Sequence, residues 1–423
     1  MGILPRFADE LVLKQILKAT GQAPIRLVVK GGADVSPSGI SPVATVVLQD
    51  RNTLAALLRD PEVSFGDAYM DGKIEVEGDF VRFLEEVYRA MEHAPSAGKW
   101  YSRLASKWLD VWQDNSPSGS RRNIHRHYDL GNDFYKLWLD EQLLYTCAYF
   151  PTPSSTLEHA QIAKMDHVCR KLRLQPGETV VEAGCGWGAL ALHMAREYGV
   201  SVKAFNVSHE QIAFARERAS AEGLSGRVEY VEDDYRAISG KYDAFVSVGM
   251  LEHVGLDHYR ELSEIIHRSI GDSGRGLLHF IGRNYPAVFS RWIRKQIFPG
   301  AHTPSLRAAL KILEPKDFSV LDVENLRMHY AKTLEHWLER FDRSRQQVAA
   351  MYDSRFVRAW RLYLAGSLAA FRVGDLQLFQ ILFTGSERQP LFWTREPLYA
   401  DAAGAKPVVE KVREKVKWTH AMS

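Results

Sequence analysis

Short apolar runs alternate with helical patterns from about residue 155 onward. Five of these runs are followed by polar or glycine-rich turns and predict strands at residues 179–182, 201–207, 228–232, 242–248 and 276–281. Helical spacing of apolar residues over 157–172 precedes the first strand, and two later runs at 320–326 and 376–383 predict further strands. Strands that alternate with helices are typical of a doubly wound, Rossmann-like α/β sheet.

Residues 1–95 show a different pattern and predict a separate, smaller α+β domain. The predicted elements are a helix over 8–17, strands at 25–30 and 44–48, a helix that opens at 53 with Asn52 or Thr53 as its cap, a turn-rich stretch over 64–79 and a helix over 80–90. No pattern in this domain indicates catalysis. We interpret it as a docking or binding module.

A polar, basic segment over 96–122 predicts a linker between the two domains. Its basic residues could contact anionic headgroups, or the segment could be a solvated linker, and the sequence leaves both interpretations open. The catalytic domain is predicted over 123–395, with a basic and apolar lid insertion near 285–315, followed by a charged tail over 396–423. His125 and His127 lie two residues apart, but without a third convergent ligand we expect no metal.

Composition narrows the function classes. The 423 residues include 46% hydrophobic and 25% charged residues, which is ordinary for a globular protein of two or three domains. A formal net charge of +2 does not favour bulk nucleic-acid binding. The three cysteines form neither a metal-ligand spacing nor a disulfide framework, so we expect a reducing cytosol. Because no apolar run has the length of a signal sequence or a membrane span, we expect any membrane contact to be peripheral.

Three glycines separated by single residues follow the first strand of the catalytic domain. Gly184, Gly186 and Gly188 come after Glu182 and lead into a helical pattern, which predicts a strand, a tight turn and a helix. Glycine allows positive φ and close approach of a ligand, and the helix N-terminus offers free N–H groups. The spacing differs from the dinucleotide pattern G-x-G-x-x-G. A purely structural turn is the alternative.

Other side chains suited to binding or catalysis stand at the carboxyl ends of the predicted strands, where ligands bind in such sheets. They are Asn206, Asp234, Glu252 and His279. Asn206 and Gln211 can hydrogen-bond a ribose diol, although a capping box with Ser208 also explains Gln211. Asp234 is placed to meet an adenine amino group.

Motifs over most of the chain resemble those of one enzyme family. They are HYDLGN at 127–132, YTCAY at 145–149, EAGCGWG at 182–188, GMLEHVG at 249–255, LHFIG at 278–282, IFPG at 297–300 and HYAKTLEHW at 329–337. On these motifs the chain resembles cyclopropane-fatty-acyl-phospholipid synthases and, over about 120–390, mycolic-acid cyclopropane synthases, which are methyltransferases dependent on S-adenosylmethionine (SAM). Residues 1–95 resemble the extra domain of the phospholipid-acting branch, which implies a domain that docks on lipid or membrane.

The resemblance implies a SAM methyltransferase core that transfers a methylene from SAM to the cis double bond of unsaturated phospholipid acyl chains, with bound bicarbonate as base. The implied SAM-binding residues are Tyr145, Thr146, Glu182, Gly184, Gly186, Gly188, Asn206, Gln211, Asp234 and Tyr235. The implied bicarbonate-binding residues are Cys147, Glu252, His279, Ile281 through its backbone, and Tyr330. The resemblance also implies a cytoplasmic, peripherally membrane-associated homodimer.

The chain departs from the family pattern at a few positions. Thr146 stands where serine is common and keeps the hydroxyl. Phe280 and Arg283 stand where smaller or neutral residues are frequent, so Arg283 bears on whether the ring closes.

Alternative interpretations remain open from the sequence. The enzyme could stop at a methyl or methylene branch on the same lipid, could methylate a soluble small molecule, or could be a non-catalytic membrane-binding protein. Structural readings also exist for single residues: Glu252 with His253 as a helix cap, His279 as a core histidine and Cys147 as an inert buried thiol.

Overall fold

The computed structural model describes residues 3–93, 130–387 and 394–399, and these form two compact units. The first unit comprises Met1–Asp114, Pro286–Ala301 and Tyr330–Gln377, and the second comprises Asn115–Tyr285, His302–His329 and Leu378–Ser423. The two later segments of the first unit lie inside the continuous range 123–395 that the sequence assigns to the catalytic domain. The predicted linker at 96–122 and most of the predicted tail lie outside the described residues.

The helices and strands are numbered here in chain order. The helices are α1 Ile3–Ala19, α2 Arg51–Arg59, α3 Pro61–Met70, α4 Phe80–His93, α5 Asn132–Lys136, α6 Leu157–Leu172, α7 Ala189–Tyr198, α8 His209–Ala221, α9 Tyr259–Ile270, α10 Arg291–Gln296, α11 Leu306–Leu310, α12 Arg327–Arg343, α13 Arg345–Met351, α14 Ser354–Val373 and α15 Glu396–Tyr399. The strands are β1 Ile25–Val29, β2 Asp34–Val35, β3 Ala44–Leu48, β4 Ile74–Gly78, β5 Thr179–Ala183, β6 Ser201–Asn206, β7 Val228–Glu232, β8 Ala244–Val248, β9 Arg275–Gly282, β10 Ser319–Asn325 and β11 Gln377–Thr384.

The first unit contains a four-stranded sheet in the order β2-β1-β3-β4. Strands β1 and β3 are parallel, and β4 is antiparallel to β3. Helix α4 packs along α14 in this unit, where the Arg372 guanidinium bridges Glu85 and Glu335. Helix α10 contacts α3 so closely that a Cβ on Gly66 would lie 2.2 Å from the Trp292 ring. These packed elements account for the compactness of the unit.

Two details of the N-terminal prediction are wrong. Helix α2 begins at Arg51, and its cap is Asp50, whose carboxylate accepts the Thr53 N–H at 2.7 Å. The stretch predicted as turn-rich over 64–79 instead forms most of α3 and all of β4. Tertiary packing explains this difference, because Tyr69 stacks on Phe80 at 4.9 Å between ring centroids. Local turn residues did not reveal that contact.

The second unit is built on a seven-stranded sheet in the order β10-β11-β9-β8-β5-β6-β7. The neighbours β9-β8-β5-β6-β7 run parallel, and β10 is antiparallel to β11. Leu190, Ile212 and Met165 pack on one face of the sheet, whereas Leu262 and Ile266 pack on the other. The doubly wound α/β fold predicted from the sequence is therefore confirmed. Across the described parts of the chain, every helix is too short or too polar to cross a membrane.

Candidate active site

The glycine turn after β5 forms one wall of a cleft in the second unit. The N–H groups of Gly184 and Cys185 donate to the Phe205 carbonyl of β6 at 2.9 and 3.1 Å, which fixes the turn against the sheet. Gly184 and Gly186 have φ values of +85° and +54°, so both need the freedom of glycine. Around Gly186 the direction of a Cβ is open space, which leaves its backbone accessible.

Nine of the ten predicted SAM-binding residues line this cleft. They are Tyr145, Thr146, Glu182, Gly184, Gly186, Asn206, Gln211, Asp234 and Tyr235. Gly188 is the exception. It is the N-cap residue of α7 and has a φ of +81°. A Cβ there would lie 2.4 Å from the Tyr230 hydroxyl, which donates to the Gly188 carbonyl at 2.7 Å. Gly188 therefore serves the packing of the turn and does not line the cleft.

A buried lysine in the cleft was missed by the sequence reasoning. Lys164 of α6 is 1% exposed, lines the cleft and donates from Nζ to the Thr146 hydroxyl at 2.9 Å. Burial lowers the pKa of Lys164 to about 8, although the neighbouring acids Asp140 and Glu182 oppose that shift. The sequence did hold a signal for this residue, because Lys164 stands at helical spacing from the apolar core positions of α6 and is therefore on its buried face.

Glu182 ends β5 with its carboxyl group inside the same cleft. Burial raises the pKa of Glu182 to about 8, and the charge of Lys164 counteracts part of this effect. The Glu182 Oε2 atom is buried and has no hydrogen-bond partner among the described residues. A buried acceptor of this kind suits a cationic or hydrogen-bond-donating ligand group.

Asn206 and Gln211 act together at the end of β6. The Asn206 amide donates to the Gly186 carbonyl at 3.2 Å and to Gln211 Oε1 at 2.7 Å, so it is occupied by the protein itself. Gln211 Nε2 is buried and meets no acceptor in the described part of the chain. The Ser208 hydroxyl also caps the Gln211 N–H, as the sequence predicts. The capping contact and a ligand-facing amide are therefore compatible.

Asp234 has a second role that the sequence did not indicate. Its carboxylate accepts the Arg236 N–H at the start of a 3₁₀ turn and pairs with the Arg236 guanidinium at 3.0 Å. Tyr235 follows it in the lining of the cleft, and its ring lies under the same guanidinium at 4.8 Å. Arg236 thus fixes the edge of the cleft.

A predicted member of the anion pocket, Glu252, lies in a 3₁₀ turn after β8. Its Oε1 atom accepts the Ile281 N–H of β9 at 2.6 Å, whereas Oε2 is buried and unpaired within the described ranges. Burial raises the pKa of Glu252 to about 7, and the Ile281 N–H opposes this shift. The Ile281 backbone, predicted to contact the anion, therefore uses its N–H to position Glu252.

His279 lies two residues before Ile281 on β9. Its Nδ1 atom is 2.9 Å from the amide nitrogen of Gln380 on β11, and its Nε2 atom is buried with no partner in the portion of the chain that the structure describes. Burial lowers the pKa of His279 to about 3, with Lys164 and Lys171 contributing in the same direction. The ring is therefore neutral.

The remaining two predicted anion-binding residues are also buried. The Cys147 thiol donates to the Ala148 carbonyl at 3.1 Å. Tyr330 belongs to the first unit, where its ring lies 4.6 Å from Phe371 and 5.9 Å from Trp337. Their assignment to an anion pocket stays a prediction.

Comparisons with known proteins identify the family of this chain. A family model described as mycolic acid cyclopropane synthetase matches residues 115–381, and a domain of unknown function matches residues 12–96. A "Probable fatty acid methyltransferase" of Pseudomonas putida is 36% identical over 85% of this chain and 93% of its own length. A "Cyclopropane-fatty-acyl-phospholipid synthase" of Escherichia coli K12 is 36% identical over 83% of this chain and 90% of its own.

A solved structure extends the similarity to the fold. The mycolic acid cyclopropane synthase CmaA1, complexed with SAH and CTAB, has a TM-score of 0.59 and 30% identity over 62% of this chain and 97% of that one. The family model covers more than half of the chain and includes the whole cleft. The chain therefore belongs to the mycolic acid cyclopropane synthetase family and is a SAM-dependent methyltransferase.

Proposed function

We propose that this enzyme transfers a methylene from SAM to the cis double bond of unsaturated phospholipid acyl chains and closes a cyclopropane ring, with bicarbonate as the base. The relatives named for fatty-acyl phospholipids and fatty acids support an acyl-chain substrate. The observation that carries the proposal is the pair of unpartnered polar atoms, Glu252 Oε2 and His279 Nε2, in the same unit as the cofactor cleft; within the described residues neither atom meets a partner.

The lining of the cleft fits SAM. The unpaired Glu182 Oε2 suits the ammonium group of the methionine part, and the unpaired Gln211 Nε2 suits a ribose hydroxyl. The nearby Lys164 ammonium supplies a positive charge for the carboxylate of SAM. When bound, SAM supplies an electrophilic methyl group. The residues of the protein bind it, orient it and keep water away from it, which matters because an alkene is a weak nucleophile.

Glu252 and His279 fit a bicarbonate ion. Bicarbonate carries one O–H donor together with several acceptor oxygens. The Glu252 carboxylate, held by the Ile281 N–H, can accept the O–H, and the neutral His279 ring can donate from Nε2. When bound there, bicarbonate supplies a weak base for the proton that must leave before the ring closes.

A vesicle assay tests the proposed reaction. The full chain is incubated with SAM and vesicles of phospholipids with cis-monounsaturated acyl chains, and the acyl products are analysed by mass spectrometry and NMR. We expect products that are heavier by one CH₂ group and carry cyclopropane ring protons, with a rate that falls when bicarbonate is removed. A saturated methyl branch or an exocyclic alkene as the sole product would refute ring closure.

Methyl or methylene branching on the same lipids is the second candidate function. The Pseudomonas putida relative, named as a fatty acid methyltransferase, supports it. Arg283 departs from the family pattern and bears on whether the ring closes. It follows β9 directly and donates from Nε to the Thr303 hydroxyl at 3.2 Å. The NMR arm of the same assay distinguishes the two products.

We also propose that residues 1–95 dock on a phospholipid surface and that the enzyme acts as a cytoplasmic, membrane-associated homodimer. Phe7 and Leu11, one helical turn apart on α1, are 61% and 49% exposed, which gives this domain an apolar surface. Flotation with anionic vesicles tests docking: the wild type should float, and Phe7→Ser with Leu11→Ser should remain at the bottom of the gradient. Equal flotation of both proteins would refute docking through this surface. The homodimer is tested separately by light scattering, which should give twice the mass of one chain.

A further inference from the structure

Gln380 is a buried glutamine whose amide contacts His279 and whose role the proposed mechanism does not use. It lies on β11, the strand beside β9 in the large sheet, and it is fully buried. We propose that Gln380 is a positioning residue that keeps His279 in the neutral tautomer protonated at Nε2, so that the ring donates a hydrogen bond to the bound anion. The role of this tautomer in holding the anion rests on the proposed function, whereas the tautomer itself does not.

The orientation of the Gln380 amide decides which ring nitrogen carries the proton. Gln380 Nε2 lies 2.9 Å from His279 Nδ1, and Gln380 Oε1 has no partner within the described residues. An amide nitrogen can donate a hydrogen bond but cannot accept one, so in this orientation Nδ1 is the acceptor. A neutral imidazole has one donor and one acceptor nitrogen, and the proton is therefore on Nε2. Nε2 is the atom of His279 that lacks a partner within the described residues.

The surroundings of the ring disfavour a second proton. Burial and the charges of Lys164 and Lys171 lower the pKa of His279, as does His167, whereas Glu324 raises it. A glutamine behind the ring adds no negative charge, unlike the carboxylate that commonly stands behind a catalytic histidine. A cationic His279 ring could transfer its proton to bicarbonate, and the protonated bicarbonate could no longer act as the base. A neutral ring holds the anion and leaves it basic.

Two variants at Gln380 change the hydrogen bond to His279 Nδ1. Gln380→Glu puts a carboxylate beside Nδ1, where it accepts a hydrogen bond, draws the ring proton to Nδ1 and favours the imidazolium. Gln380→Met keeps the side-chain length but removes the donor. Gln377→Met is the matched control, because Gln377 is a buried glutamine on the same strand whose amide donates to the Gly374 carbonyl.

Nitrogen NMR of the full chain with ¹⁵N-labelled histidine tests the tautomer directly. The His279 signals are assigned by their loss in His279→Gln. We expect a protonated Nε2 and an unprotonated Nδ1 in the wild type and in Gln377→Met, and a protonated Nδ1 in Gln380→Glu. A wild-type ring protonated at Nδ1, or an unchanged tautomer in Gln380→Glu, would overturn the proposal.

The vesicle assay tests the consequence separately. We expect the kcat of Gln380→Glu and Gln380→Met to fall about 10- to 100-fold, by analogy with the loss of the partner that orients a metal-ligating histidine. The KM for SAM of both variants should match that of Gln377→Met, and so should the melting temperature of Gln380→Met, which adds no buried charge. Equal kcat values in these three variants would overturn the positioning role. If the wild type forms no cyclopropane, the proposed function fails, and the NMR result still decides the tautomer.

Discussion

Replacing Glu252 by glutamine should abolish turnover and stabilise the protein at the same time. The introduced amide would keep a side-chain oxygen for the Ile281 N–H but would lose the second carboxylate oxygen, which is proposed to accept the O–H of bicarbonate. We expect SAM to bind with unchanged affinity, because Glu252 does not line the cofactor cleft. The gain in stability follows from the pKa of the wild-type carboxyl group.

The size of this gain can be worked out from the burial of Glu252. Its pKa in the folded protein is about 7, against an ordinary value of 4.5. Because the folded-state pKa is raised, stability is greatest below pH 4.5, declines as the pH rises and is lowest above pH 7. A gap of about 2.5 pH units corresponds to a penalty of about 3 kcal/mol at pH 8, and of less than about 1 kcal/mol at pH 5.

Melting curves at pH 5 and pH 8 measure this effect. For a unit of this size, about 3 kcal/mol corresponds to roughly 6–12 °C, so Glu252→Gln should melt well above the wild type at pH 8 and close to it at pH 5. Glu217→Gln is the matched control, because Glu217 is an exposed glutamate on α8 of the same unit. A melting difference that does not grow with pH would refute the burial argument, and wild-type turnover in the variant would refute the anion pocket.

Two further substitutions test the cofactor cleft, and a third, with its control, tests the packing of the glycine turn. Lys164→Met should raise the Kd for SAM, measured by calorimetry, about 10- to 100-fold, because a buried charge-assisted contact is lost. Gln211→Leu should raise the same Kd about fivefold, as expected for one neutral hydrogen bond. An unchanged Kd would contradict either assignment. Gly188→Ala should destabilise the protein by about 2 kcal/mol or more, because its Cβ would meet the Tyr230 hydroxyl at 2.4 Å. Gly223→Ala, also at positive φ but facing open space, should cost only about 1 kcal/mol in the same denaturant titration, and equal losses would contradict the packing role.

The strands of the large sheet were predictable from two different patterns. The central parallel strand β8 is buried at every position and ends at Val248 as predicted, because a strand covered on both faces is almost continuously apolar. The edge strand β7 alternates buried and exposed residues and has its predicted limits, 228–232. Helix α6 also has its predicted limits, because Thr156 caps it and Arg173 ends it in the left-handed conformation. Where the signal was local, sequence reasoning was sufficient.

Contacts between distant segments were not predictable. The division into two units depends on residues 286–301 and 330–377 packing with the N-terminal elements, and no local pattern marks such an exchange. The same limit applies to Gly188, which repeats the spacing of Gly184 and Gly186 yet packs against Tyr230 some forty residues later in the chain. A glycine motif shows that a Cβ is excluded, but it does not show what excludes it.

Helix α6 buries polar and charged side chains, which costs hydration free energy, and the candidate active site explains why they are there. Four of its buried residues are polar or charged, namely Gln161, Lys164, His167 and Lys171. An apolar set of similar volume would often be equally or more stable, because buried charges lose their hydration. Near the cofactor cleft, Gln161 and Lys164 hold Thr146 through its carbonyl and its hydroxyl.

Further along the same helix, Lys171 pairs with Glu324 at 2.6 Å. Glu324 lies opposite Gln380 in the register of β10 and β11, so this ion pair stands behind the glutamine that contacts His279. One helix face thus supports Thr146 in the cofactor cleft and the strand behind the predicted anion pocket. Its polar residues are therefore better explained by the positioning of these two groups than by the stability of the fold.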